Sequence, residues 1–332
     1  MQSRHTIYDV AALAGVSSST VSRALARPGQ VSAATAERVR RAAEQLGYRA
    51  AAVGAPAGPA RTGIVLLVTA DIGNSFVFEI LRGAEEVAAA ADLTVAVIDS
   101  HESGTREREL VERMLPLADA VVLASSRLPD AAIRILAKQK ATVVLNHAVR
   151  DVASVSTDYR PAARDMVAHL RELGHDSAAY LAGPAASWAD GARWRALLDA
   201  ARAGGVALHR VGPAAPTVEG GARFAGTLAG RPPTAVVTFN DQLAVGLVQG
   251  LGAAGLAVPG DVSVAGFDDS VLAGLVLPTL TSVATPLASM GRTALRTAVT
   301  LLGGTVPTPV EEMPAELVVR DSTGPRRRRA GL

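Results

Sequence analysis

Thr6-Ile-Tyr-Asp-Val-Ala-Ala-Leu-Ala-Gly-Val-Ser-Ser-Ser-Thr-Val-Ser-Arg-Ala-Leu25, carried on through residues 31–48, decides how this chain is read. Three short capped helices follow from it. Thr6 caps the first, and Asp9, three residues on, completes a capping box. Ile7, Val10, Ala11 and Ala14 then share one helical face. Gly15 permits a tight turn, and Ser17 caps a second helix in which Val21, Ala24 and Leu25 point inward. Ser18, Ser19, Thr20, Ser22 and Arg23 are left outside. Ser32 caps a third helix with Ala36, Val39, Ala43 and Leu46 as its buried stripe and Gly47 as its stop. Two helices joined through a Gly-containing turn, the second short and rich in Ser, Thr and Arg, form a helix-turn-helix. Double-stranded DNA is the partner that such a head expects.

Charge supports that division. Residues 1–50 hold seven Arg and three acidic residues, a balance of +4, whereas the remaining 26 basic and 28 acidic residues give −2. A basic head on a slightly acidic body suits a DNA reader joined to a sensor that need not touch phosphate. At 332 residues with 49% hydrophobic content, the chain has room for further domains. It has no cysteine, which excludes disulfides, thiolate metal sites and a Cys nucleophile. No apolar segment precedes the first helix and no run of eighteen apolar residues occurs, so neither a signal peptide nor a membrane span is expected, and a cytoplasmic location follows.

Residues 51–61 are an Ala/Gly/Pro linker. After it, short β-branched runs at 64–68, 94–98, 120–124, 142–145, 178–181, 235–238 and 262–267 alternate with helical stretches at 78–91, 106–115, 130–138, 161–173 and 243–251. Uniformly apolar strands between helices indicate parallel sheets covered on both faces. About ten such units exceed one compact sheet, so residues 62–324 are expected to form two α/β lobes, with 325–332 a basic tail containing Arg326 to Arg329.

Polar residues cluster after the strands: Asp71 and Asn74, Asp99 and Ser100, Ser125 to Arg127, Asn146 and His147, Asn240 and Asp241, Asp268 and Asp269. Ligands of open parallel sheets bind beyond the carboxyl ends of the strands. Two such sheets face to face would gather these groups around one cleft suited to a polyhydroxylated ligand. Each residue alone is equally an ordinary turn or N-cap residue.

Taken together, these motifs resemble the lactose-repressor/galactose-repressor family of bacterial transcription regulators. The likeness is carried by TIYDVAALAGVSSSTVSRAL (6–25), VSAATAERVRRAAEQLGY (31–48), DIGNSFVFEILRGAEE (71–86), SSRLPD (125–130), VVLN (143–146), STDYRPAARDMVAHLRELGH (156–175), YLAGP (180–184), RWRALLDA (193–200), FNDQLAVGLVQGL (239–251), VPGDVSVAGFDDS (258–270) and PTLTSVATPLASMG (278–291). The resemblance implies a helix-turn-helix head, a hinge, a core like periplasmic sugar-binding proteins, and a homodimer. It places Ser18, Ser19 and Arg23 at base edges, where Arg23 would fork onto guanine. Thr6, Ser17, Thr20 and Ser22 would hold phosphates. For a carbohydrate effector it points to Phe76, Val77, Ser125, Asn146, Arg193, Asn240 and Asp268, with Trp188 or Trp194 beside Arg193 available for stacking or helix packing. It implies no cofactor and no metal.

Two departures stand out. The linker places Gly54 and Pro56 where the family folds a hinge helix on DNA, and Ala57 where a leucine wedges into the minor groove. Interior Pro costs a helix about 3 kcal/mol and Gly about 1, so the usual intercalating hinge is not expected. Val77 and Val218 also replace frequent aromatics.

Four other readings compete. Gly250-Leu-Gly252-Ala-Ala-Gly255 fits the dinucleotide fingerprint but closes a helix instead of opening one. An enzyme lacks support, since no G-x-S-x-G elbow, Walker loop or H-E-x-x-H occurs. A transport-type sugar-binding protein would share the core, and an activator the whole architecture. The head argues against the first of these two, and only the resemblance favours a repressor over the second.

Overall fold

The computed structural model describes residues 6–26, 31–46, 61–228, 230, 232–305 and 310–327. The linker at 51–60, with its expected lack of a hinge helix, lies outside them. Two compact units emerge, Met1–Arg61 and Thr62–Leu332.

In the first unit, α1 (Ile7–Ala14), α2 (Ser18–Ala26) and α3 (Ala33–Gln45) enclose a small core of Val10, Ala11, Ala14, Val21, Ala24, Val39, Ala42 and Ala43. Asp9 receives the Thr6 amide at 2.6 Å and its hydroxyl at 2.9 Å. Gly15 ends α1 in the left-handed region at φ 64°, where an L side chain would be strained. Ser17 and Ser32 cap α2 and α3 through the Thr20 and Thr35 amides. Ala36 and Leu46 are only half-buried, and Ala42 takes their expected place in the core.

The second unit holds two six-stranded sheets. In lobe 1 the order is β11-β5-β4-β3-β1-β2, all parallel, from β1 (Ile64–Thr69), β2 (Thr94–Asp99), β3 (Ala120–Ala124), β4 (Ala141–Leu145), β5 (Ala153–Asp158) and β11 (Val310–Pro314). Lobe 2 repeats the order as β12-β10-β9-β8-β6-β7, with β6 (Ser177–Leu181), β7 (Ala207–Val211), β8 (Ala235–Thr238), β9 (Ser263–Asp268), β10 (Thr281–Ala284) and an antiparallel β12 (Glu316–Val318). Each sheet lies between two helical layers. Lobe 1 carries α4 (Phe76–Ala90) and α12 (Leu287–Leu302) on one face, and α5 (Gly104–Met114) and α6 (Asp130–Gln139) on the other. Lobe 2 carries α7 (Arg160–Glu172) and α8 (Trp188–Gly204) opposite α9 (Val218–Leu228), α10 (Asp241–Ala253) and the short α11 (Val271–Leu275).

The chain passes between the lobes at residues 158–159, at residues 285–286 and at Ala315. In both sheets the first and third strands are neighbours, with the second strand outside them. That arrangement splits the following helices to opposite faces and opens a crevice at the strand ends. The sequence reading omits β5, β7, β10, β11 and β12. All five are edge strands or lie next to an edge strand, and their Ser, Thr, Glu and His residues conceal the apolar run. The start of the basic tail is not free: Arg326 pairs with Asp176 and Arg327 with Asp261 at 2.6 Å, so its first two arginines are held by lobe 2.

Candidate functional site

The crevice between the lobes is lined by Asp71, Asn74, Phe76, Glu102, Ser125, Arg127 and Asn146 from lobe 1. From lobe 2 come Ser187, Ala189, Arg193, Phe239 and Asp268. All but Arg193, which lies in the second turn of α8, stand at or just after a strand end or at the start of a helix. Several adopt backbone conformations that non-glycine residues seldom take: Glu102 (φ 60°), Ser125 (φ 65°), Asn146 (φ 60°) and Asp268 (φ 102°). Such strain persists only where the surroundings enforce it, and it concentrates at binding sites.

Arg193 is the centre of lobe 2's wall. It is buried in α8, with its guanidinium about 5 Å from the ring centres of Tyr159, Phe239 and Phe267. It donates to Asp268 Oδ1 at 2.5 Å, to the Phe239 carbonyl at 2.5 Å and to the Tyr159 hydroxyl at 3.2 Å. Burial opposes its charge, but Asp268 and the tyrosines more than offset this and hold its pKa above the ordinary guanidinium value. Burial pushes the Asp268 carboxyl up, and Arg193 counters it. A buried ion pair is a poor source of stability, because desolvating both charges costs about what their attraction returns. Its place in a ligand crevice points to recognition. Arg193 Nε and Asn146 Oδ1, a donor and an acceptor on opposite walls, are buried without a hydrogen-bond partner.

Phe76, Ser125, Asn146, Arg193 and Asp268 are thus brought together, as the resemblance implies. Two expected residues are not among the crevice lining. Val77, one step and about 100° round α4 from Phe76, turns into the lobe 1 core beside Ile80. Asn240 is consumed as the N-cap of α10, accepting from the Leu243 amide at 3.0 Å and donating to the Pro216 carbonyl at 3.2 Å. Trp188 stacks on His147 across the lobes, ring centres 3.8 Å apart. One of its faces is therefore already covered. Trp194 packs against Tyr180.

Glu102, Ser187, Ala189 and Phe239 line the crevice without a sequence signal that marks them for it. Glu102 sits in a turn without glycine, and Phe239 and Ala189 carry no polar signal. Ser187 reveals itself only as the cap of α8, accepting from the Asp190 amide. Asp241, next to Asn240, is buried at the floor of lobe 2. It accepts from the Ser270 amide and the Ser282 hydroxyl, each at 2.6 Å, and burial with the nearby Asp268 charge raises its pKa to about 7.

In the head, α2 turns Ser19 and Arg23 fully outward, while Ser18, Thr20 and Ser22 are half-buried. Arg23 Nε rests on the Ser19 carbonyl at 3.2 Å, and the Ser17 hydroxyl contacts those of Ser19 and Thr20. Thr6 and Ser17 lie at helix N-termini, where amides and the helix dipole favour phosphate. The Gly250 to Gly255 motif ends α10 and leads on to β9, away from any strand-to-helix loop. Among the described residues no His, Asp and Glu group could hold a metal, and no helix is long and apolar enough to cross a membrane.

A three-helix reader of DNA joined to a two-lobed core with a polar crevice defines a class: regulators built on a binding-protein core. Comparison with known proteins agrees. Residues 6–50 match the model of bacterial regulatory proteins of the lacI family, and residues 167–323 match that of the periplasmic binding protein-like domain. The HTH-type transcriptional repressor CytR of Escherichia coli (strain K12) is 32% identical over 96% of both chains. Among solved structures, the transcriptional regulator CelR–cellobiose complex is 29% identical with a TM-score of 0.70, covering 96% of this chain and 100% of its own. The lac repressor dimer bound to operator and the anti-inducer ONPF is 25% identical with a TM-score of 0.77, covering 97% and 100%. The chain belongs to the lacI family of bacterial transcription regulators.

Proposed function

We propose that the protein is a cytoplasmic, homodimeric repressor that binds a pseudo-palindromic operator and is controlled by a carbohydrate held between its lobes. The observation that carries this reading is the crevice itself, where the buried Arg193–Asp268 pair faces the unpartnered Asn146 oxygen. A guanidinium fork with carboxylate and amide acceptors around it suits vicinal hydroxyls. CelR is solved with cellobiose and the lac repressor with operator and an anti-inducer, which supports the same division of labour here. The site binds its ligand without converting it, as the regulators among its relatives suggest.

In the head, Ser18, Ser19 and Arg23 read bases, and Thr6, Ser17, Thr20 and Ser22 hold phosphates. In the core, Phe76, Ser125, Asn146, Arg193 and Asp268 hold the effector, while Val77 and Asn240 support them from the core and the α10 cap. Phe78 on α4 is 60% exposed, and Val271, Leu275 and Leu277 stand out from lobe 2. Apolar side chains presented in this way fit a surface shared by two copies. Division between domains follows the sequence: head 1–50, linker 51–61, core 62–324, tail 325–332.

Thermal unfolding with a panel of neutral mono- and disaccharides tests the effector site. At least one sugar should raise the midpoint of the wild type and leave Arg193→Lys unmoved. A sugar that stabilises both equally would place the site elsewhere.

A further inference from the structure

We propose that Arg127 reads the effector from lobe 1 and that its pairing with Glu102 confines the crevice to uncharged ligands. This rests on the crevice being the effector site and adds the chemical class of what enters it. Arg127 is nearly buried, with its side chain 6% exposed. Its Nε and one terminal nitrogen both meet Glu102 Oε2 at 2.7 Å, and its other terminal nitrogen donates to the Ser125 carbonyl at 2.9 Å. Three of the five N–H groups of a guanidinium are thereby committed. The remaining two belong to a side chain that lines the crevice.

The loop beneath is fixed from behind. Glu107, buried in α5, accepts from the Ser126 hydroxyl and from the Arg127 amide at 2.7 Å. Arg127 is thus a preorganised donor, and ordering it for a ligand costs little. The Ser125 carbonyl that it also holds belongs to a residue at φ 65°, so the arginine and the strained serine form one wall.

The crevice contains two cations, Arg127 and Arg193, and three carboxylates, Asp71, Glu102 and Asp268. Each arginine touches a carboxylate, and one carboxylate is left over. A phosphorylated or carboxylated ligand would meet guanidinium forks whose charge is already balanced, beside fixed negative charge. It would have to displace Glu102 or Asp268 to gain a salt bridge. A neutral polyol needs only the uncommitted N–H donors and the carboxylate and amide acceptors, with no pair broken.

Glu102 is therefore the discriminator, and inorganic phosphate is a probe that needs no knowledge of the effector. Phosphate should leave the unfolding midpoint of the wild type unchanged relative to the same ionic strength of chloride. Glu102→Gln should gain phosphate affinity by about tenfold or more, the worth of one charge-assisted hydrogen bond. The double variant Glu102→Gln/Arg127→Gln should lose that gain. Asn tolerates left-handed backbone well, so Glu102→Asn repeats the test if Glu102→Gln fails to fold. Phosphate binding by the wild type that depends on Arg127, or no gain in either Glu102 variant, would overturn the proposal.

The sugar panel separates this proposal from the function it rests on. Glucose and ribose should be compared with glucose 6-phosphate and ribose 5-phosphate. Stronger stabilisation by a phosphorylated member overturns the charge rule, and neutral-sugar binding untouched by Arg127→Gln overturns the role of Arg127. If no sugar binds while the phosphate arms behave as predicted, the carbohydrate reading falls and the charge pairing stands.

Discussion

Arg193 and Asp268 show what a single residue can and cannot announce. Asp268 stands at a strand end and both residues match motifs of the resemblance, so their place in the crevice is legible in the sequence. Their mutual pairing is not, because Arg193 is on α8 and Asp268 ends β9, 75 residues later. Truncating Arg193 to Ala leaves Asp268 buried and uncompensated, which costs about 3 kcal/mol or more. Arg193→Lys keeps the charge but loses the fork. The Lys variant should therefore fold, bind operator with nearly wild-type affinity in a gel-shift titration, and no longer respond to effector. Asp241 gives a pH signature. Its folded-state pKa is raised to about 7 from 3.8. Below the lower value both folded and unfolded chains hold the proton, and between the two only the folded chain does. Stability must therefore fall through this group as pH rises from about 4 to about 7. Urea midpoints for Asp241→Asn should decline less over that window than those of the wild type, since the amide keeps an acceptor for the Ser270 amide and stays neutral. Parallel curves for the two proteins would contradict the assignment. Val77 and Asn240 show how position misleads. One step along a helix moves Val77 from crevice to core, and a residue at a strand end can be fully occupied in capping the next helix.

At the scale of elements, the strands that the sequence shows are those whose residues are apolar on both faces, such as β3 and β4. The strands that it hides are exposed at edges, such as β7 and β11, or polar and buried, such as β10. Ser282 in β10 serves Asp241, and Thr281 bonds the segment near residue 320. Helix contacts were likewise illegible, because small residues carry no periodic signal of their own. α4 and α12 cross where Gly83 faces the Ala288 carbonyl and Gly291 faces the Ile80 carbonyl, so a Cβ at either would collide with backbone. Gly83→Ala or Gly291→Ala should cost about 1–3 kcal/mol, the usual range for overpacking. Gly191, in α8, meets nothing within 4 Å. Gly191→Ala should instead stabilise by up to about 1 kcal/mol through helix propensity. Denaturant midpoints on the three variants decide between these signs.

For the whole molecule, closure of the lobes is where binding becomes regulation. Contacts that bridge them away from Arg193 include the His147–Trp188 stack and a 2.8 Å hydrogen bond from Gln242 to the Gly73 carbonyl. Burial holds the His147 pKa below the ordinary histidine value, and Asp130, 3.1 Å from Nε2, opposes that shift. The ring therefore stacks on Trp188 in its neutral form near neutral pH. His147→Ala should favour the open arrangement, seen as red-shifted Trp188 emission in a Trp194→Phe background and as weaker effector binding. An unshifted spectrum would show that the stack does not hold the lobes. Effector can alter DNA binding only through its unequal affinity for the open and closed core. Gating of a sequence-specific head by this core can be read from the DNA that the protein retains. Genomic fragments are captured on purified full-length protein and sequenced, with and without the sugar that stabilises it. A pseudo-palindromic motif is expected, with recovery changed by the sugar and the motif weakened in Arg23→Ala. Recovery of sequence-independent DNA alone, lost steeply with added salt and indifferent to sugar, would contradict it.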